Sequence, residues 1–184
     1  MVQPATLNPL KEFSEKNHTI IQQIFDGLVR FDPDGKIEPA LAVSWSRVDP
    51  LTMEFRLRTG VTFHNGEPFD AEAVRFSMER FSDPASGFPA TGFLSSIEKV
   101  EAVEPLLVRI KSKAPDGMLL HRLAGLVSIL PPKDYTTRGQ DSFAKSPVGT
   151  GAFRFARWED GVRIVLEANP RYWKAGLPRF KGLS

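Results

Sequence analysis

His64, Asp70 and Glu72 stand close together in the stretch TFHNGEPFDAEAV, residues 62–74. A histidine beside two carboxylates has the residue types for metal ligation or for acid–base hydrolysis. Metal ligation needs more ligands, and the other histidines, His18 and His121, have no partner at the i, i+4 spacing that puts two imidazoles on one helix face. A hydrolase using His64 with Asp70 or Glu72 would need a nucleophile, and no GxSxG elbow occurs. Backbone geometry accounts for the same residues. Val61 and Phe63 continue a strand alternation, with His64 on the opposite face. Asn65-Gly66 supplies the positive dihedrals of a tight turn. Pro68 sets the next bend, Asp70 caps a helix, and Glu72 favours that helix's positive end. A second stretch, PVGTGAF, suggests a phosphate loop, but it lacks the GK[ST] ending and runs into a strand. Trp45, Trp158 and Trp173 each sit inside or beside an apolar pattern, which favours packing over a ligand pocket.

The elements that position these residues can be read from periodicity. A helix is expected from about Ser14 to Asp26, with Ile20, Ile21, Ile24, Phe25 and Leu28 at helical spacing and Gly27 at its end. LVRFD reads as a short strand and Pro33-Asp34-Gly35 as a turn. VSWSRVDPLTMEFRLR, IEKVEAVEPLLVRIKS and AFRFARWEDGVRIVLEA each alternate apolar and polar residues around an acidic-Pro or acidic-Gly pair, the pattern of a hairpin with one wet face. In the third, Val162, Ile164 and Leu166 share one side. A helix from Asp70 through Phe81 buries Ala71, Val74, Met78 and Phe81, with Arg75 and Glu79 paired on the wet side. Another, from about Asp116 to Ala124, buries Leu119, Leu120 and Leu123 and stops at Gly125. Residues 83–92 read as a surface loop, and 145–151 as a break between lobes. His18 and His121 read as surface residues. Helices and hairpins mix without a βαβ rhythm, so the class is mixed α/β (α+β).

The chain has 184 residues, of which 41% are hydrophobic and 25% charged, with net charge +2 and the signs interspersed. This composition fits one ordinary folded domain or two small lobes. It gives no basic block for nucleic acid or an anionic membrane. There is no cysteine, so disulfides and thiolate chemistry are excluded. No apolar run reaches the about 18 residues that span a bilayer.

The ordered motifs carry the reading further. They are TLNP, IFDGLVRFDPDGKIEPALAVSW, EFRLRTGVTFHNGEPFDAEAVRFSMER, SILPPKDY, SPVGTGAFRF and RIVLEANPRYW. The chain resembles the large extracytoplasmic solute-binding proteins of ABC importers, the family that carries oligopeptides, dipeptides, nickel complexes and related solutes. It departs from the family pattern at Ala152-Phe153, where Pro-Tyr is usual, and at Asp26, where Glu is usual. The resemblance implies a periplasmic-binding-protein type II-like lobe with an inserted, hairpin-rich extra domain. Residues 1–42 and 150–184 would belong to ligand-binding lobe I and residues 43–149 to the extra domain. The second lobe would lie outside this chain, which is then expected to be a domain fragment that binds ligand poorly by itself.

The resemblance also implies a periplasmic or extracytoplasmic protein without enzymatic activity or a cofactor; a monomer is the default expectation. It would capture peptides or peptide-like solutes and deliver them to the transmembrane permease subunits. Glu12, Phe13, Ser14 and Glu15, in the segment after the L-x-P motif, would face the ligand, a carboxylate meeting an ammonium and Phe13 packing on a side chain. The alternative is that LKEFSEK is only a polar approach to a helix. Rival functions are a nickel-chelate, haem or glycan carrier on the same scaffold, a hydrolase using His64, and a sensory domain that borrowed the fold.

Overall fold

The computed structural model describes residues 4–11 and 14–184. Helix α1 (Glu15–Ile24) starts where Ser14 accepts the backbone N–H of Asn17 on its side-chain oxygen. It ends two residues earlier than the apolar spacing predicts. Phe25 is already extended, and the Ile24 carbonyl accepts the N–H of Gly151 at 2.8 Å. A distant glycine, rather than Gly27, closes the helix. A two-stranded antiparallel pair follows, β1 (Val29–Phe31) and β2 (Ile37–Pro39), turning at Pro33–Gly35 as expected.

All three expected hairpins form. β3 (Ala42–Asp49) pairs with β4 (Thr52–Leu57), and β5 (Ile97–Glu104) pairs with β6 (Leu107–Ser112). β4 and β6 join them into an antiparallel sheet of order β3-β4-β6-β5. Met53, Phe55 and Leu57 are buried while Glu54 and Arg56 face outward, where Arg109 on β6 pairs with Glu54. Helix α2 (Ala71–Ser82) lies on β5 and β6 and buries Ala71, Val74, Met78 and Phe81. Asp70 caps it, accepting the N–H of Ala73 at 3.0 Å, and Arg75 bridges Glu72 and Glu79 on its wet side. A third sheet holds β7 (Phe153–Glu159), β8 (Arg163–Ala168) and the short edge strand β9 (Gly182–Leu183). One contiguous core includes residues from all three sheets.

Several expectations need correction. Helix α3 spans Leu119–Leu126, so it starts later than Asp116 and runs through Gly125; Leu120 is only part-buried. Asp116 instead accepts the N–H of Met118 and pairs with Arg122. Residues 83–92 are less of a surface loop than their breaker residues suggest. Two 3-10 turns fold this stretch, Phe88 and Ala90 are buried, and Phe88 stacks edge-on against Phe81 with ring centroids 4.8 Å apart. Helix α4 (Pro132–Lys145) has no counterpart in the periodicity reading. Only Tyr135 and Phe143 of it are buried, and Gly139 breaks the helical path at φ 74°. Val162 lies in the turn before β8 and is 66% exposed.

Candidate functional site

The stretch 62–74 folds as a turn and two caps. The Gly66 N–H bonds to the Phe63 carbonyl and the Phe63 N–H to the Glu67 carbonyl, both at 2.8 Å. Only Gly66 takes a positive φ, +90°; Asn65 does not. The loop is therefore a type I turn closed by one left-handed glycine, rather than a turn with two left-handed residues. Thr62 and Pro68 make a single bridge, and no regular strand continues through Phe63.

His64 does not stand on a free strand face. Its Nδ1 accepts the N–H of Gly149 at 3.3 Å and its Nε2 lies 3.0 Å from the Gly151 carbonyl, while its own backbone N–H bonds to the Gly149 carbonyl at 2.8 Å. With Nδ1 accepting, Nε2 carries the hydrogen and the ring is neutral. Burial lowers its pKa to about 4, and the nearby charges of Arg154 and Arg171 act in the same direction. Both ring nitrogens are committed to backbone, so neither is available to a metal ion or a substrate proton. Among the described residues no group of three or more His, Asp or Glu side chains is placed to hold an ion. Glu67, given no role by the sequence reading, accepts the N–H groups of Lys133 and Asp134 at 2.9 and 3.2 Å and caps α4 across the fold.

Gly149 and Gly151 press against the end of α1. A Cβ at Gly149 would lie 2.0 Å from the Ile24 carbonyl oxygen, and one at Gly151 would lie 2.5 Å from that of Gln23. PVGTG is thus a close-approach strap and not a phosphate loop. Between the glycines, Thr150 donates to the Asp26 carboxylate at 2.9 Å; Trp173 Nε1 donates to it at 2.9 Å and the Tyr172 hydroxyl at 3.1 Å. Burial raises the Asp26 pKa, opposed by these three donors and by the Arg30 charge. Burial and the neighbouring Asp26 charge push the Tyr172 hydroxyl up as well. Arg58 lies over the Trp173 ring at 4.3 Å. FDGL, VGTG and RYW, far apart in sequence, meet on one carboxylate.

A cavity of about 400 Å³ opens beside this junction. Its polar groups include His18, Gln22 and Gln23 of α1, Asp26, Arg30 of β1, Ser128 and Tyr172; Pro9, Ile21 and Val127 are among the apolar ones. His18 is part-buried rather than simply at the surface; burial lowers its pKa, and it shares a 2.6 Å hydrogen bond with Gln22. Arg30 is ion-paired to Glu38. A second opening of about 710 Å³ lies between Thr19, Ile20 and Gln23 of α1 and the β7–β8–β9 sheet. Val162, Ile164 and Leu166 line it from one side, Val162 from the turn before β8 rather than from the strand itself, with Phe180 and Leu183 near residue 184. The smaller cavity is the better candidate, because a few convergent polar groups on an apolar wall are what fix a small polar ligand.

Of the sequence-derived ligand residues, Glu12 and Phe13 lie outside the described residues. Ser14 caps α1 and Glu15 opens it. Lys11, just before them, reaches the Ser86 carbonyl at 3.1 Å and ties this approach to the 83–92 turns. Asn8 of TLNP is buried; it accepts the Leu10 N–H and donates to the Tyr135 hydroxyl. Gln22, Arg30 and Ser128 were not singled out by the sequence reading. Arg30, Ser128 and Tyr172 do lie inside the ordered motifs, in IFDGLVRFDPDGKIEPALAVSW, SILPPKDY and RIVLEANPRYW, whereas His18 and Gln22 lie outside them. His121 is exposed, with its ring 6.0 Å from that of Phe31. Trp45 and Trp173 pack against the core.

These features define a class: a mixed α/β, type II binding-protein lobe with an added β-rich sheet. Residues 36–184 match the model of the bacterial extracellular solute-binding proteins, family 5 Middle, and the chain belongs to that family. It is 32% identical over 180 residues to a glutathione-binding protein, GsiB, of Pectobacterium atrosepticum, covering 97% of this chain and 35% of that protein. It also resembles the structure of the binding protein AgaA from A. tumefacien R10 in complex with agropinic acid. The TM-score there is 0.92 and the identity 31%, over 98% of this chain and 37% of that one. NikZ from Campylobacter jejuni in complex with Ni(L-His) gives a TM-score of 0.84 at 31% identity, over 94% of this chain and 35% of that one. The chain spans about a third of the length of these relatives.

Proposed function

We propose that this chain carries one wall of the ligand cleft of an ABC-importer solute-binding protein, working outside the cytoplasm. The complete protein captures peptides or peptide-like small solutes, binds without catalysis, and presents them to the membrane permease. The likeness to solute-loaded binding proteins over nearly the whole chain carries this reading. The mixed-polarity cavity beside α1 supports it.

Residues 1–42 and 150–184 form the ligand-binding lobe and residues 43–149 the extra domain. The Gly149–Gly151 strap, at the second boundary, supports this division. Glu12, Phe13, Ser14 and Glu15 are the proposed ligand-facing residues of this wall; the position of Ser14 as the cap of α1, whose later turns line the cavity, supports this reading. Closure in such a protein follows from the ligand bridging two walls and so favouring the closed state.

Calorimetric titration of a protein containing this chain and a facing lobe, with glutathione, a dipeptide and nickel–histidine as probes, tests the reading. Binding of at least one, weakened about tenfold by Glu12→Ala or Gln22→Ala, is expected. The isolated 184-residue chain is expected to bind no better than about millimolar, since one wall lacks enclosure. Peptide or ester hydrolysis abolished by His64→Ala would overturn the non-catalytic reading. Failure of all three probes to bind would remove the assignment to peptide-like solutes.

A further inference from the structure

The four asparagines of the chain differ sharply in chemical surroundings. Asn8 and Asn169 each precede proline, whose nitrogen has no hydrogen and cannot attack a neighbouring side chain. Asn17 is buried in the first turn of α1. Asn65 and Gly66 are both exposed, and Gly66 has no Cβ to shield its nitrogen. The Asn65 Oδ1 accepts the Glu67 N–H at 3.0 Å, which folds the side chain back along the loop and polarises its carbonyl.

We propose that Asn65 is a site of spontaneous covalent modification, deamidation through a cyclic imide, and that the product disables the His64 clasp and the α4 cap. The Gly66 N–H releases the Phe63 carbonyl and loses its proton to hydroxide or buffer base. Its nitrogen forms a bond to Asn65 Cγ, and the tetrahedral adduct breaks the Cγ–Nδ2 bond, expelling ammonia. Water then opens the five-membered imide. Breaking the new N–Cγ bond leaves an aspartate at this position. Breaking the original peptide bond leaves an isoaspartyl linkage, in which the main chain runs through the side chain and is one methylene longer. That extra length falls between His64, held to Gly149 and Gly151, and Glu67, held to the first turn of α4. Both contacts depend on the span of this one turn.

The test is incubation of the 184-residue chain at alkaline pH, followed by peptide mapping with fragmentation that separates aspartyl from isoaspartyl products. The expected result is an amide-to-acid mass gain confined to the peptide holding residues 65 and 66, the isoaspartyl form in excess, and a lower thermal midpoint for that fraction. Asn65→Ser keeps an oxygen for the Glu67 N–H but has no amide. It should stay unmodified and hold its midpoint through the same treatment. Asn65→Asp carries the charge without the added methylene and should melt close to the untreated chain. The inference is overturned by no mass gain at this peptide under conditions that modify the urea-unfolded chain. It is equally overturned by an isoaspartyl fraction with an unchanged midpoint, or by Asn65→Ser losing stability as fast as the parent.

Discussion

The Gly149–Gly151 strap and the cavity wall share helix α1, yet they are built on opposite terms. At the strap, space is exhausted and the polar groups are committed: two glycines abut carbonyls, Asp26 takes three donors, and both nitrogens of His64 face backbone. Across the cavity, His18, Gln22 and Ser128 border open volume. The difference teaches what the quoted motifs are for. FDGL, VGTG, FHNGEP and RYW make the frame beside the cavity, and these four segments touch it only at Phe25–Gly27 and Tyr172. A frame tolerates few alternatives because close approach and buried hydrogen bonds are unforgiving. Of the polar groups on the cavity wall, His18 and Gln22 lie outside every motif, while Arg30 and Ser128 lie within the longer stretches IFDGLVRFDPDGKIEPALAVSW and SILPPKDY, so the motifs trace only part of that wall.

Mutations should separate the two regions by size of effect. Gly149→Ala puts a methyl into the Ile24 carbonyl and is expected to cost about 4 kcal/mol, or to prevent folding, in urea denaturation. A loss below about 1 kcal/mol would mean that the strap can slide and that the two regions differ less in rigidity.

The next effect is one of pH. In the unfolded chain His64 takes a proton near its ordinary value of 6.5, whereas in the fold it stays neutral down to about 4. Between these values the unfolded state binds more protons. The contribution is therefore full above about pH 6.5, declines as pH falls, and is lost below about 4, for a total of about 3 kcal/mol. Comparing denaturation midpoints of the parent and His64→Gln across this window isolates the contribution. Parallel curves would show that the ring is not held neutral.

Glu67→Ala uncaps α4 and should cost about 1 kcal/mol, with hydrogen exchange speeding first at Lys133 and Asp134. On the other side of the comparison, Gln22→Ala should change stability by less than about 0.5 kcal/mol while weakening solute binding in the complete protein. A large stability loss from that change would place Gln22 in the frame.

The hairpins, the Asp70 cap and the α2 stripe were legible because each depends on neighbours within a few residues. The alternation in 53–57 and the spacing of Ala71, Val74, Met78 and Phe81 are local signals that survived folding unchanged. Helix α4 was not legible. Its N-terminus is capped by Glu67, its buried side chains are only Tyr135 and Phe143, and a left-handed glycine interrupts it. The early end of α1 was equally hidden, since the bond that stops it comes from Gly151.

By itself the sequence determined the class of fold, the three hairpins and, through ordered motifs, the family. Those follow from periodicity and from short-range backbone chemistry. Only the tertiary structure decided what the motifs hold: that His64 clasps a glycine strap, that Asp26 gathers Thr150, Tyr172 and Trp173, and that α1 presents His18 and Gln22 to a cavity. Each of these contacts joins residues that chain order keeps apart, and nothing but the packing of elements sets the distance between them.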